Sequence, residues 1–211
     1  MTTSNKLISL SGRKGSGKDT VFKELCKKFP QYTFKRLAWG DALKKEVHDI
    51  FGIPMDLLHA DEETKNNTET QVNVGLFLEQ AKEIVPWKKW FTAFGFSNGY
   101  LTVREVLQLW GTDVRRTQDP EYWVKKIVGR IDTHPNPSDI LVITDTRFEN
   151  ELDAIHARNG LSIWIDRHSL KEQDTHESEK DISESCQYSV HGRGYCTPRE
   201  TVLSISKLAG L

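Results

Sequence analysis

Apolar positions recur along this chain with two different periods. Short continuous runs, "KLISLS" at 6–11, "YTFKRLAW" at 32–39, "DILVITDT" at 139–146 and "LSIWID" at 161–166, predict strands. The unbroken apolarity of the third run is the pattern of a strand covered on both faces of a parallel sheet. Helical spacing follows the first run, with Val21, Phe22, Leu25 and Cys26 on one face. A second helix is predicted from about Asp41 to Phe51, stopped by Gly52 and Pro54. "TVRE" at 102–105 is a capping box that opens a helix with Val103, Val106, Leu107 and Trp110 inward. "DPEYW" at 119–123 opens another with an Asp cap and Pro at the first position. A helix around 148–158, a short strand near 186–190 and a helix opened by "TPRE" at 197–200 complete the pattern.

Residues 52–100 break this rhythm, with the polar run "ADEETKNNTETQ" and the aromatic run "WKKWFTAFGF". They predict an excursion inserted into the core. The remaining order of elements predicts an α/β fold, a doubly wound parallel five-stranded sheet flanked by helices, in a single domain over 1–211.

Composition narrows the function classes. A net charge of −1 argues against a dedicated duplex-binding protein, so no stable nucleic-acid binding is expected. Three irregularly spaced cysteines, Cys26, Cys186 and Cys196, do not make a disulfide framework and suit a reducing cytosol. No apolar run reaches the length of about 18 residues that a membrane helix needs, and the N-terminus shows no signal-peptide core. A soluble cytoplasmic protein is the expectation. His176 invites a metal reading, but no His-Glu-x-x-His or Cys-x-x-Cys spacing occurs, and Cys186, His191 and Cys196 have no convincing fourth ligand.

The candidate chemistry begins at "SGRKGSGKDT", residues 11–20. Gly12-x-x-x-x-Gly17-Lys18 between a strand and a helix is a phosphate-binding loop, with Lys14, Gly15 and Ser16 inside it. Glycines let the backbone N–H groups curl around phosphate oxygens at the helix's positive end, and Lys18 adds a point charge. A Ser or Thr is expected after the lysine, but Asp19 stands there and Thr20 follows. Thr20 is placed to meet phosphate. Asp19 is left open between magnesium, the acceptor and simple complementation of the helix end.

Asp145 ends the central apolar strand, where open α/β sheets place ligands, and Arg147 follows with the fork geometry that suits phosphoryl oxygens. Arg104 and Gln108 share one helix face, which runs into Gly111, Thr112 and Asp113. Taken alone, this helix face reads as a solvated face ahead of a nucleotide pocket. Trp123 reads as core or as a stacking surface for a base.

Together "LSGRKGSGKDT", "VREVLQLWGTDVRR…YWVK", "ITDTRFENELDAI" and "DTHESE" resemble, in order, the landmarks of bacteriophage deoxynucleoside monophosphate kinases. The resemblance runs from residue 6 to about 180, with 52–100 largely unmatched. It implies an adenylate-kinase-like P-loop fold in which 52–100 is the nucleotide-acceptor lobe, while 167–182, charged and poor in large apolar residues, reads as a lid-like or ATP-proximal segment. It also implies ATP as phosphoryl donor, Mg²⁺ as cofactor and a deoxynucleoside monophosphate as acceptor.

The resemblance marks Gly12, Lys14, Gly15, Ser16, Gly17, Lys18, Asp19 and Thr20 for ATP. It marks Arg104, Gln108, Gly111, Thr112, Asp113, Trp123, Asp145, Arg147 and Glu151 for the substrate. Asp174, Thr175, His176 and Glu179 match the last block. Lys18 and Arg147 are expected to meet transition-state charge, with Asp19, Thr20 or Asp145 organising magnesium. Two rival readings stay open, a P-loop kinase acting on a modified base in DNA or another small phosphorylated acceptor, and a non-catalytic nucleotide switch. The guanine signature Asn-Lys-x-Asp is absent from the sequence. A homodimer is also left open.

Overall fold

The computed structural model describes residues 6–13, 15–82, 84, 99–167, 181–192 and 198–211. Contacts gather into two units, one formed by Met1–Trp39 with Val124–Leu211 and the other by Gly40–Trp123.

The first unit is built on a five-stranded sheet. Its strands are β1 (Lys6–Ser11), β2 (Phe34–Leu37), β5 (Ile140–Thr146), β6 (Leu161–Arg167) and β7 (Tyr188–Gly192), in the order β2-β5-β1-β6-β7. Every neighbouring pair is parallel. This is the predicted doubly wound sheet. The chain passes from β5 to β6 across β1, so the strand order reverses at the centre, and the carboxyl ends of β1 and β5 border that reversal.

Helices cover the sheet because its strands are apolar on both faces. Ile8, Leu10, Val142, Ile163 and Ile165 bury against Val21 and Leu25 of α1 (Lys18–Lys28) and Val202 and Ile205 of α9 (Pro198–Leu208). Each such fully buried side chain contributes about 1.5–3 kcal/mol relative to exposure. A smaller cluster joins Leu152 of α8 (Glu149–His156) to Trp164 and Ile182. Arg158 clamps Asp132, at the end of α7 (Tyr122–Asp132), with paired bonds of 2.7 Å each.

One feature of β5 and one of β2 bear on the fold around residues 139–146. Ser9 of β1 pairs with Ile143 but Ser11 pairs with Thr146, so β5 carries one residue more than β1 over that interval, a β-bulge. β2 is also shorter than the apolar run at 32–39 suggests, because α2 (Trp39–Phe51) begins two residues before Asp41. The donor that starts it finds a distant partner, described below.

The second unit takes in more than the lobe expected at 52–100. Val47 of α2, Leu58 of α3 (Met55–Leu58), Val72 of β3 (Glu69–Asn73) and Phe77 of α5 (Val74–Ala81) share one core with Val106, Trp110 and Trp123. That shared burial is why its limits fall at Gly40 and Trp123. Phe51, Phe77 and Trp110 form a mutually packed aromatic trio, with Phe51 and Phe77 stacked at 5.6 Å and Trp110 edge-on to both. Such pairs contribute about 0.5–1.5 kcal/mol each beyond area burial. The polar run at 60–71 is not an open excursion, for it folds as α4 (Glu62–Asn67) and most of β3, which pairs antiparallel with β4 (Tyr100–Thr102).

The capping box at Thr102 is present. Thr102 Oγ1 accepts from the Glu105 N–H at 3.2 Å and Glu105 Oε2 accepts from the Thr102 N–H at 2.7 Å, opening α6 (Val103–Gln108). From Leu109 to Arg116 the helix continues as a π-helix, which no periodicity predicts. Residues 85–98 of the lobe and 168–180 of the lid-like segment lie outside the described residues.

Candidate active site

The phosphate loop is the predicted strand–loop–helix. β1 ends at Ser11 and α1 begins at Lys18, with Gly17 in a left-handed conformation (φ 92°) that only glycine adopts without strain. Gly12 (φ 145°) is required twice, since a Cβ there would also stand 2.5 Å from the Ile165 carbonyl oxygen. The loop is closed by the Ser16 N–H on the Arg13 carbonyl at 3.0 Å. Lys18 is folded onto it, with Nζ donating to the carbonyls of Gly12 at 2.7 Å and Arg13 at 3.0 Å and to Ser16 Oγ at 3.3 Å.

Asp19 and Thr20 are exposed on the first turn of α1. Asp19 Oδ1 lies 3.4 Å from Arg36 Nε of β2, a solvent-facing pair that contributes little to stability. Arg13 pairs with Asp181 at 3.2 Å. Burial pushes the Asp181 carboxyl up, but bonds from Ser183 and Arg13 and the guanidinium's charge outweigh it and hold it low. Asp181 is thereby a loop partner that the sequence did not single out.

Beside the loop, Asp145 does double duty. Its Oδ1 accepts the Trp39 N–H at 2.8 Å, satisfying a donor at the start of α2 that has no partner within the helix. The Trp39 indole donates to Thr146 Oγ1 at 3.0 Å, and Thr146 Oγ1 shares a 2.7 Å bond with Ser9 Oγ. Trp39, 3% exposed, therefore grips two adjacent residues of β5. Nothing in the local sequence near 39 marks this role, because its partners lie over a hundred residues away.

Glu151 lies in the first turn of α8. It is 1% exposed, and Oε2 accepts the N–H groups of Arg147 at 2.8 Å and Phe148 at 3.2 Å. Its carboxylate holds the turn that presents Arg147, which is half-buried, and touches the site through that turn.

In the second unit Arg104 and Gln108 do lie one turn apart on α6, both half-buried. Arg104 Nη1 donates to Glu62 Oε2 at 3.0 Å. Gly111, Thr112 and Asp113 sit in the π-helix, whose wider turns recur at functional sites. A Cβ at Gly111 would meet Leu43 Cδ2 at 2.8 Å, and the Trp123 indole donates to the Gly111 carbonyl at 2.9 Å. Trp123, 3% exposed, is thus a core residue that braces Gly111.

Glu46 of α2 ties the same π-helix down, accepting from Trp110 Nε1 at 3.0 Å, Arg115 Nε at 2.5 Å and Tyr122 Oη at 2.6 Å. The Arg115 guanidinium lies over both the Trp110 and Tyr122 rings, 5.0 and 4.8 Å from their centroids. Burial pushes the Glu46 carboxyl up, but the three hydrogen bonds and the Arg115 charge outweigh it and hold it below the usual carboxylate range. Lys14, Asp174, Thr175, His176 and Glu179 lie outside the described residues. No helix among the described residues is long and apolar enough to cross a membrane.

The family model described as "Deoxynucleotide monophosphate kinase" matches residues 42–187. A putative deoxynucleotide monophosphate kinase of Acanthamoeba polyphaga mimivirus is 27% identical over 199 residues, covering 87% of this chain and 86% of that one. The deoxynucleotide monophosphate kinase of Enterobacteria phage T4 is 27% identical over 209 residues, covering 82% of this chain and 86% of that one. Among solved structures, shikimate kinase from Aquifex aeolicus aligns over 96% of this chain and 95% of its own at 15% identity, with a TM-score of 0.42. The match extends over most of the second unit and on through β5 and β6, and the chain belongs to the deoxynucleotide monophosphate kinase family.

Proposed function

We propose that this protein transfers the γ-phosphoryl group of ATP to the 5′-phosphate of a deoxynucleoside monophosphate, giving the diphosphate and ADP. The observation that carries the reading is the glycine-shaped loop with Lys18 at the head of α1, in a chain of this family. The Gly17 N–H at the head of α1 and the Lys18 ammonium take the donor's phosphates. Lys18 then exchanges its carbonyl partners for phosphate oxygens, which are stronger acceptors.

Arg147, held by the Glu151 clamp, meets the charge that develops on the transferring group. Arg104 and Gln108 take the acceptor, the cation on its phosphate and the amide on its base edge. The acceptor phosphate is already ionised, so positioning and charge neutralisation supply the catalysis and no strong general base is needed.

Asp19 and Asp145 are hard oxygen donors of the kind magnesium takes, and the exposed Thr20 hydroxyl adds a third, so these residues fit that ion. Magnesium held there would supply positive charge to neutralise the phosphates. Asp145 Oδ1 meanwhile holds the Trp39 N–H.

The test is ADP release from ATP across a panel of deoxy- and ribonucleoside monophosphates, with modified DNA as a further acceptor. Release that depends on a deoxynucleoside monophosphate and is abolished in a folded Lys18→Ala variant is expected. Hydrolysis indifferent to every monophosphate would overturn the reading.

A further inference from the structure

In the second unit two sheltered cations converge on one carboxylate. Lys65 Nζ donates to Glu62 Oε1 at 3.2 Å and Arg104 Nη1 to Glu62 Oε2 at 3.0 Å. Each carboxylate oxygen thus receives one cation. The Lys65 and Arg104 side chains are only 11% and 14% exposed, whereas that of Glu62 is 42% exposed.

The asymmetry matters. A half-exposed carboxylate can swing into water at little cost, since exposed ion pairs are weak. Withdrawn cations have no such escape and require an anion in front of them. Glu62 sits where it can leave, and Lys65 and Arg104 sit where they must stay.

We propose that Lys65 is a second ligand for the acceptor's 5′-phosphate beside Arg104, and that Glu62 holds the pair until the phosphate displaces it. This rests on the kinase reading of the same chain. Two phosphate oxygens replace the two carboxylate oxygens, and the dianion interacts more strongly with the pair than a single carboxylate does. Lys65 contributes a point charge and Arg104 a directional fork, so together they fix both the position and the orientation of the phosphate. The local structure supports a built arrangement. Asp61 caps α4, with Oδ1 accepting the Thr64 N–H at 2.7 Å, and the Thr102 capping box fixes the start of α6. Both cations therefore project from helices whose first turns are pinned.

The proposal separates Glu62 from Lys65 by the sign of their effects. In calorimetric titration of the full chain with a deoxynucleoside monophosphate, Lys65→Ala should weaken binding about tenfold, and Lys65→Arg should recover most of it. Glu62→Gln should tighten binding severalfold, because it removes the competing anion. The deoxynucleoside lacking the phosphate should bind all three variants alike, and the KM for ATP should be unchanged. Melting curves identify any variant that fails to fold, and Lys65→Arg keeps the question answerable in that case.

Equal affinity for the monophosphate in wild type and Lys65→Ala would overturn the proposal, as would a loss in Glu62→Gln as large as that in Lys65→Ala. Wild type that binds monophosphate without releasing ADP sinks the kinase reading alone, and the phosphate clamp then stands on its Lys65 dependence. Wild type that turns over normally while Lys65→Ala is indifferent sinks the clamp alone.

Discussion

Trp39 donates its backbone N–H to Asp145 Oδ1 at 2.8 Å, so the carboxylate near the end of β5 also caps the first turn of a helix far away in sequence. Capping and charge are separable there. Asp145→Asn keeps an acceptor and should melt within a few degrees of wild type, whereas Asp145→Ala should lose about 0.5–2 kcal/mol. If the charge also organises the phosphates, Asp145→Asn should lower kcat by at least about a hundredfold. An Asn variant with near-normal kcat would reduce Asp145 to a cap.

Asp19 offers the opposite experiment. Its pairing with Arg36 is solvent-facing, so Asp19→Ala should change stability by less than about 1 kcal/mol. Any large loss of turnover in that variant then reports on phosphoryl transfer. A shift in the magnesium concentration that supports half-maximal rate would assign Asp19 to the metal, and a shift in KM for the monophosphate would assign it to the acceptor.

Glu151→Ala removes the acceptor for two backbone N–H groups in a buried setting, at a cost of about 1–3 kcal/mol. Because the turn it holds presents Arg147, kcat should fall as well. Glu151→Gln, which retains an acceptor oxygen, should recover much of both. Loss of kcat equal to that of Arg147→Ala in a Glu151→Gln variant of normal stability would show that the carboxylate itself meets substrate.

Glu46 makes a prediction about pH. Its carboxyl is held low in the folded protein, so its stabilising contribution is fully present above its unfolded pKa, about 4.3, and is lost as pH falls through the lower folded value. Glu46→Gln should destabilise the protein by about 2 kcal/mol near neutrality, because Arg115 loses its anion in a largely buried cluster. The gap in melting temperature between wild type and variant should stay constant above about pH 5 and close on further acidification. A gap independent of pH down to pH 3 would show that ionisation of Glu46 contributes nothing.

The legible parts of this molecule are those whose cause is local. The runs at 6–11, 139–146 and 161–166 carry their burial in their own letters, and the phosphate loop and the Thr102 capping box are complete within a few residues. The short elements between 55 and 81 escaped because four- to eight-residue helices and a five-residue strand depend on contacts with α2, α6 and Trp110, not on their own periodicity. The π-helix was invisible for a related reason. Its extra residue per turn is tied down by Leu43 against Gly111, by Trp123 and by Glu46, all outside the segment itself. Trp39 shows the limit most plainly, for its role at the start of α2 is assigned by two residues of β5.

The bulge in β5 gives the strand a reading frame. In an unbroken parallel ladder Ser11 would stand opposite Asp145, but the extra residue moves Thr146 into that place and leaves the aspartate between rungs. Neighbouring side chains of a regular strand point to opposite faces, yet here Trp39 reaches both Asp145 and Thr146. Deleting one residue between Ile143 and Asp145 would restore the ladder, leaving Thr146 opposite Ser11 and bringing Asp145 onto the rung of Leu10. Spacing is therefore part of the structure, and a relative aligned with a single gap at 144 would keep both Asp145 and Thr146 and still hold the carboxylate on a different rung.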